Sequence, residues 1–337
     1  MSNVIEEDSI YLSSKLALPN LDGARILLTG SSGLIGMNIL SLFNYLLTSK
    51  RFSFEVDALS TNLSKQVTVF HPKINFKAGD LSTGVKNFDL RKYDYIIHAA
   101  TYSQPSKFTT QTMETLNLNG PIVIDLSKYL EPNGTFLFLS TSEIYSGSDS
   151  NINTESDLGK LPIQSPRASY VYGKIFGEVS LLQLSSQFRI RIGRIALSYG
   201  AGTKLGDSRV MNQLIYRAIT EGKVELADSG IAIRTYCYIR DTIEMLLNVM
   251  FWGKSEIYNI GGVSTVSIRE LGEQISNIIG VPFYSPTSSA NFLEAPMQVK
   301  LDISKYEREF GDMQFIQFPD GLLRTVEWQK ATLFKKP

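Results

Sequence analysis

The chain has 337 residues, 33 of them Lys or Arg and 33 Asp or Glu, so its formal net charge is zero. Proteins that track nucleic acid by charge carry a basic excess, and this one has none. One cysteine, Cys237, excludes an internal disulfide and fits a reducing compartment. There are two histidines, His71 and His98, and a zinc site of common type would need both. Acid–base chemistry is therefore expected from Tyr, Lys, Glu or Asp, without a metal. The start, MSNVIEEDSIYLSSK, lacks the basic-then-apolar layout of a secretion leader. No apolar run approaches the ~20 residues of a membrane helix. These features set the expectation of a cytoplasmic protein with neither nucleic-acid nor membrane partners.

Taken in chain order, residues 1–20 read as an N-terminal extension with a short helix carrying Ile5, Ile10, Tyr11 and Leu16. ARILLTG (24–30) is an apolar run with a glycine stop, the pattern of a buried parallel strand. Residues 31–50 have helical apolar spacing. Strands are expected at 52–59, 74–80 and 94–100, a helix at 111–130, a strand at 135–141, a helix at 168–187 and a strand at 188–197. Alternation of this kind implies right-handed crossovers and an α/β fold: a Rossmann-type parallel sheet with helices on both faces. Beyond residue 198 the texture changes. Helices near 208–221, 240–252 and 267–279 and a strand near 234–239 suit a smaller C-terminal α/β substrate lobe. The expected division is an extension (1–20), a dinucleotide-binding domain (21–197) and a mainly substrate-binding lobe (198–337), partly interleaved with it.

Gly30-Ser31-Ser32-Gly33-Leu34-Ile35-Gly36 lies between the first strand and the first helix. Gly30 permits a tight turn, Gly33 lets backbone N–H groups approach a pyrophosphate, and Gly36 lets the helix pack close to the sheet. An acidic residue often ends the second strand to hold the adenosine ribose. Here Ser60 occupies that end and Asp57 lies too early. No arginine is there for a 2′-phosphate, although Lys65 is near, so this feature does not choose between NAD and NADP. Asp80 and Leu81, after the third strand, are placed to meet the adenine.

Tyr170 and Lys174 lie four apart on an expected helix and share a face. A tyrosine normally keeps its proton until pH ~10. A neighbouring ammonium and a positive nicotinamide ring would favour the phenolate, which can take a proton from a sugar hydroxyl. Just past the fifth strand come Ser140-Thr141-Ser142-Glu143-Ile144-Tyr145, where ligands sit in open α/β sheets. Thr141 can hydrogen-bond the reacting hydroxyl, and Glu143 can act as a base or orient the sugar.

These residues together resemble the extended short-chain dehydrogenase/reductases, the NAD-dependent nucleotide-sugar epimerases, dehydratases and decarboxylases. The resemblance runs from about residue 24 to 330. It passes through Gly30–Gly36, Asp80-Leu81, His98-Ala99-Ala100 with Thr101 following, Asn117-x-x-Gly120, Thr141–Tyr145 and Tyr170-x-x-x-Lys174, then through Lys204–Val210, Arg234–Ile239 and Tyr258–Gly261. It implies NAD as cofactor, held by Gly30, Ser32, Gly33, Leu34, Ile35, Gly36, Ser60, Asp80, Leu81, Ala99, Ala100, Thr101, Tyr170 and Lys174. Thr-Ser-Glu before Ile-Tyr looks most like the UDP-glucuronate decarboxylases. The 4,6-dehydratases usually place an Asp where Ser142 stands.

The resemblance also implies that Arg209 anchors or protonates near the sugar and that Arg234 contacts the nucleotide phosphates. The implied reaction is decarboxylation through a 4-keto intermediate with internal recycling of NAD. An epimerase or 4,6-dehydratase is the alternative within enzymes, and a non-catalytic dinucleotide-binding regulator the alternative outside them. The family also implies a homodimer, its helices 111–130 and 168–187 pairing with their mates as a four-helix bundle. The chain departs from the usual family pattern at Ser60, Thr101–Pro105, Ser146, Leu197 and Ala201.

Overall fold

A computed structural model describes residues 3–61, 70–287 and 300–334; Lys65 lies outside them. The elements in chain order are α1 (Asn3–Lys15), β1 (Arg25–Thr29), α2 (Leu34–Thr48), β2 (Glu55–Ser60), β3 (Ile74–Ala78), β4 (Tyr93–His98), α3 (Pro105–Phe108), α4 (Thr112–Asn119), α5 (Pro121–Ser127), β5 (Leu130–Thr141), α6 (Ala168–Leu182), β6 (Arg189–Ile195) and β7 (Leu197–Tyr199). There follow α7 (Val210–Glu221), β8 (Val224–Glu225), β9 (Ile233–Tyr238), α8 (Ile239–Trp252), β10 (Ile257–Ile260), β11 (Ser264–Ser267), α9 (Ile268–Ile279), β12 (Phe283–Tyr284), α10 (Ser304–Phe310) and α11 (Phe318–Leu333).

Seven strands form one sheet in the order β10-β6-β5-β4-β1-β2-β3, every neighbouring pair parallel. Strand order reverses at β1, between β2 and β4. That is where an open α/β sheet leaves a crevice beyond its carboxyl ends. The central strands β1, β4 and β5 are buried on both faces, which explains their apolar runs, whereas edge strand β3 is partly exposed. One face is covered by α2, α8 and α1, through Leu40, Phe43, Leu46, Met245 and Leu246. The other is covered by α4, α5 and α6, through Leu118, Ile122, Leu126 and Leu181. A three-stranded sheet, β11-β9-β7, and a two-stranded one, β12-β8, belong to the C-terminal part.

The structure corrects several expected bounds. The helix expected at 111–130 is two helices, broken at Gly120 and ending at Ser127. Pro121 has no N–H to continue the ladder and instead starts α5 at its first position. Strand β5 begins at Leu130 rather than 135, with an irregularity between Tyr93 and Tyr95 in its pairing with β4. The stretch 188–197 divides: β6 stays in the large sheet while Leu197 opens β7 in the small one. The long helix from 168 ends at Leu182.

Helix α1 packs into the core, with Leu12 and Leu16 buried. Tyr238 on β9 donates to Asp8 Oδ2 at 2.9 Å, and Arg324 on α11 donates to Asp8 Oδ1 at 2.9 Å. Leu12→Ala should therefore cost ~2–5 kcal/mol, as a buried leucine truncation does. Urea unfolding will read this as a lower midpoint at unchanged slope. A change under ~0.5 kcal/mol, the size expected at the surface, would show that α1 is not part of the folded core.

Candidate active site

The turn after β1 has the conformation that its glycines allow. Gly30 has φ +68°, and a Cβ there would sit 2.7 Å from the backbone of Ala99 and Ala100. A Cβ on Gly36 would meet the Gly30 carbonyl oxygen at 2.3 Å. Both positions thus need glycine for the helix to start against the strand. Helix α2 begins after Gly33, and no side chain caps it. Its first N–H groups point into the crevice, where they favour an anion.

The cleft continues along Ser32, Ser60, Asp80, Leu81, Ala99, Ala100 and Thr101. Ser60 donates to Ser32 Oγ at 2.6 Å, and Lys204 from the C-terminal part donates to the same oxygen at 3.0 Å. Asp80 accepts from the Ser82 N–H at 2.8 Å, which holds the turn that follows β3. Asp57 faces away from this cleft's chemistry: it is buried within β2, accepting from Tyr93 at 2.6 Å and pairing with Lys77 at 3.1 Å. Thr101 Oγ1 is shielded from solvent and has no protein partner. An uncapped helix start, a glycine-only approach and an orphan hydroxyl suit a dinucleotide diphosphate and its ribose.

A second cavity shares Gly30, Gly33, Ala99 and Thr101 with the first and adds Leu34, Ile35, Gly36, Thr141, Ser142, Glu143, Tyr170 and Arg209. A third continues from Ser142, Glu143 and Arg209 to Arg167, Arg234 and Tyr236. The sequence-derived residues thus converge on one connected cleft, apart from Lys174, which lies beneath it. Lys174 is fully buried, donates to the Leu139 carbonyl at 2.6 Å and sits 4.6 Å from the centre of the Phe138 ring.

Burial pushes the Tyr170 phenol above its ordinary value, and the Glu143 carboxylate pushes it further. A hydrogen bond with Thr141 and the charges of Arg167 and Arg209 pull it back. Lys174 donates to the Leu139 carbonyl, and the charges that lower Tyr170 in the protein alone are those of Arg167 and Arg209.

Arg167 was not singled out from the sequence. It precedes Tyr170 by three residues and grips Glu143 at both oxygens, Nε to Oε2 at 2.9 Å and Nη2 to Oε1 at 2.5 Å. Phe108 was missed too. Its ring stacks on Tyr170 at 4.7 Å, and the Arg167 guanidinium lies 5.1 Å from the same ring. The three-residue spacing of Arg167 from Tyr170 was the available signal; Phe108 left none, because α3 is a single turn from a distant loop. Arg209 is paired to Asp207 through Nε at 3.0 Å, and burial lowers Arg234 below its ordinary value. Among the described residues no cluster of three His, Cys, Asp or Glu is placed to hold a metal, and no helix is long and apolar enough to cross a membrane.

The chain belongs to the NAD-dependent epimerase/dehydratase family, whose model matches residues 26–261. Its cofactor is accordingly NAD. It is 26% identical to UDP-glucuronic acid decarboxylase 3 of Arabidopsis thaliana over 325 residues, covering 92% of this chain and 89% of that one. It is 22% identical to a dTDP-glucose 4,6-dehydratase of Streptomyces griseus, covering 77% and 78%. Among solved structures, a UDP-glucose 4-epimerase of Thermotoga maritima superposes with a TM-score of 0.75 at 21% identity, over 92% of this chain and 99% of that one. That likeness establishes the shared fold.

Burial depresses Lys174 from its ordinary 10.5 to about 7, with Glu178 opposing. The unfolded chain keeps this proton up to its ordinary value, whereas the folded one releases it near 7. Between those limits the unfolded state binds more protons, so stability rises with pH. Thermal melts of the cofactor-free protein from pH 7 to 9 should climb relative to those of Lys174→Met. Parallel profiles would mean that the buried amine keeps its proton throughout.

Proposed function

We propose that the protein decarboxylates a nucleotide-activated hexuronic acid of the UDP-glucuronate type, through a 4-keto intermediate. The observation that carries this reading is the acid–base inventory of the cleft. Among the described residues lining the two inner cavities, Glu143 is the one carboxylate, and Arg167 holds both of its oxygens. A dehydration needs an acid beside the leaving hydroxyl, and Ser142 at that place is a poor one. Loss of carbon dioxide needs no such acid.

NAD, when bound, supplies the hydride acceptor for the first step and the donor for the last. Tyr170 takes the proton of the C4 hydroxyl as the hydride leaves C4, and Thr141 hydrogen-bonds the same oxygen. The ketone so formed lies β to the carboxylate carbon on C5. The C5–carboxylate bond breaks, carbon dioxide leaves, and the electron pair passes into the enolate. A proton from solvent then adds at C5, and Arg209, which lines the same cavity, steadies the sugar's charge while the carboxylate is lost. Tyr170 returns its proton when C4 is reduced. Glu143, fixed by Arg167, orients the sugar across Tyr170. The nearness of decarboxylase relatives such as that of Arabidopsis thaliana supports the same choice.

The decisive measurement is mass spectrometry on the purified protein with UDP-glucuronate and NAD+. The expected product is lighter by carbon dioxide. Tyr170→Phe should lower kcat by at least ~100-fold, the contribution expected of a positioned acid–base group, and Glu143→Gln, which weakens the grip of Arg167 on the sugar-orienting group, should lower turnover as well. Loss of water would assign a dehydratase and an isomer of unchanged mass an epimerase. Binding of NAD without conversion of any UDP-, dTDP-, GDP- or CDP-sugar would favour a non-catalytic regulator.

We also propose a homodimer. Met113, Ile124, Tyr172, Phe176 and Val179 on α4, α5 and α6 leave apolar surface exposed, which water-soluble chains usually cover with a partner when it is contiguous. Helices α4, α5 and α6 would then supply the bundle. Light scattering at micromolar concentration should give twice the chain mass, and Phe176→Glu should halve it. A monomeric wild type would reject the dimer.

A further inference from the structure

The second strand ends in a residue that the proposed reaction leaves unexplained. Where an open α/β sheet binds a dinucleotide, that strand end commonly carries an Asp or Glu that accepts from the 2′-hydroxyl of the adenosine ribose. Such a carboxylate also repels a 2′-phosphate, and so selects NAD against NADP. Here β2 ends at Ser60. The nearest acid on the strand, Asp57, is committed inside the core to Tyr93 and Lys77.

Donors gather around Ser60. Its hydroxyl lies 2.6 Å from Ser32 Oγ, and the Lys204 ammonium lies 3.0 Å from the same oxygen. All three side chains border the cofactor cavity, together with Lys107. Asp80 is the one carboxylate among the described residues of that lining, and it is engaged by the Ser82 N–H at 2.8 Å. Burial lowers Lys204 below its ordinary value, and the charge of Lys107 lowers it further. The two ammoniums thus repel each other across the cavity mouth, and an anion beside them relieves that repulsion. A hydroxyl both donates and accepts, so Ser32 and Ser60 can serve the 2′-hydroxyl of NAD or the oxygens of a phosphate. An ammonium only donates, and with phosphate its hydrogen bonds are charge-assisted. The diphosphate that both cofactors share has its own donors at the uncapped start of α2. The charge of Lys204, held at the Ser32–Ser60 pair, is surplus to it.

We propose that the cofactor site also takes the 2′-phosphorylated dinucleotide, NADP, with its phosphate monoester held by Ser32, Ser60 and Lys204. Residue 60 thereby sets cofactor selectivity, and Lys204 contributes to it from the C-terminal part of the chain. Neither role depends on which nucleotide sugar is the substrate or on the reaction it undergoes.

The test is titration calorimetry on the full chain freed of nucleotide, with NAD+ and NADP+ and no sugar present. Wild type should bind NADP+ within ~10-fold of NAD+. The readout for variants is the ratio of the two dissociation constants, NADP+ over NAD+. Ser60→Asp should raise it by ~10-fold or more, because the new carboxylate accepts from a 2′-hydroxyl and repels a 2′-phosphate. Lys204→Met removes the charge and keeps the length of the side chain. It should raise the ratio by a similar factor, as loss of a hydrogen bond to a charged group does. Adenosine 2′,5′-bisphosphate measured against 5′-AMP should show the same dependence on Lys204, since neither ligand contains a diphosphate. A wild type that binds NADP+ more than ~10-fold weaker than NAD+ overturns the proposal, as does one that binds neither. Equal weakening of both cofactors by Lys204→Met would give the lysine to the shared diphosphate and also overturn it. A ratio unchanged in Lys204→Met overturns it whatever Ser60→Asp does, and decides the matter if Ser60→Asp fails to fold. If both cofactors bind as stated and no UDP-glucuronate is decarboxylated, the decarboxylase reading fails and this one stands.

Discussion

The geometry of the site depends on a buried ion pair that lies behind it. Arg194 of β6 and Glu178 of α6 each have side chains 5% exposed and meet at 2.7 Å. Ser140, at the end of β5, donates to Glu178 as well. Arg194 also donates to the Tyr145 hydroxyl at 3.0 Å, and that hydroxyl donates to Asn259 of β10 at 2.7 Å. Such a pair is a weak source of net stability, because two charges have been taken out of water. Its effect here is positional. It joins the helix that carries Tyr170 and Lys174, the strand end that carries Thr141, and the last strand of the sheet. Breaking it from one side would leave a buried charge alone, at a cost of about 3–5 kcal/mol. The three elements are therefore held at one spacing.

Upon this base the site has to reconcile two opposed demands on Tyr170. Burial gives the phenol a dry environment, in which its hydrogen bonds and neighbouring charges act strongly. The same burial disfavours the phenolate that the proposed reaction requires. Arg167 meets both demands. Its guanidinium pulls the phenol down, and by gripping Glu143 it offsets a carboxylate that would otherwise push the phenol up. Phe108 then closes one face of the Tyr170 ring, so the hydroxyl has little freedom to leave Thr141. Lys174, fully buried, donates to the Leu139 carbonyl and lies against the Phe138 ring beneath the cleft.

What the sequence made legible follows from range. The β1–glycine–α2 turn and the Tyr170–Lys174 pair are local patterns, set by steric limits on the backbone and by helical repeat. They were readable because every partner lies within a few residues. The same holds for the apolar strands, whose burial on both faces removes polar residues from the run. The break at Gly120 was hidden because apolar spacing continues across it, although Pro121 was a visible warning. The Arg167 grip on Glu143 spans 24 residues, and Phe108 reaches Tyr170 across 62. Such pairings need the fold to be built first. Strand β10 illustrates the point again: Ile257–Ile260 lies within the C-terminal part yet pairs with β6 in the large sheet. Nothing in four residues of sequence distinguishes that edge from any other short strand.

The rim of the cleft is made differently from its floor, and the contrast bears on how ligands enter. Beneath the site are charged and aromatic groups shielded from solvent. Across its mouth the C-terminal part meets the Rossmann part through small polar contacts. Ser106 and Ser208 hydroxyls lie 2.9 Å apart, Ser208 reaches Gln104 at 3.4 Å, and Lys204 donates to Ser32 at 3.0 Å. These bonds are solvent-exposed or only half-buried, and water can replace each at little cost. Parting them exposes no core. The floor, in contrast, cannot shift without stranding Arg194 or Glu178. Tyr170, Thr141 and Lys174 lie on that floor, on the elements that the ion pair joins.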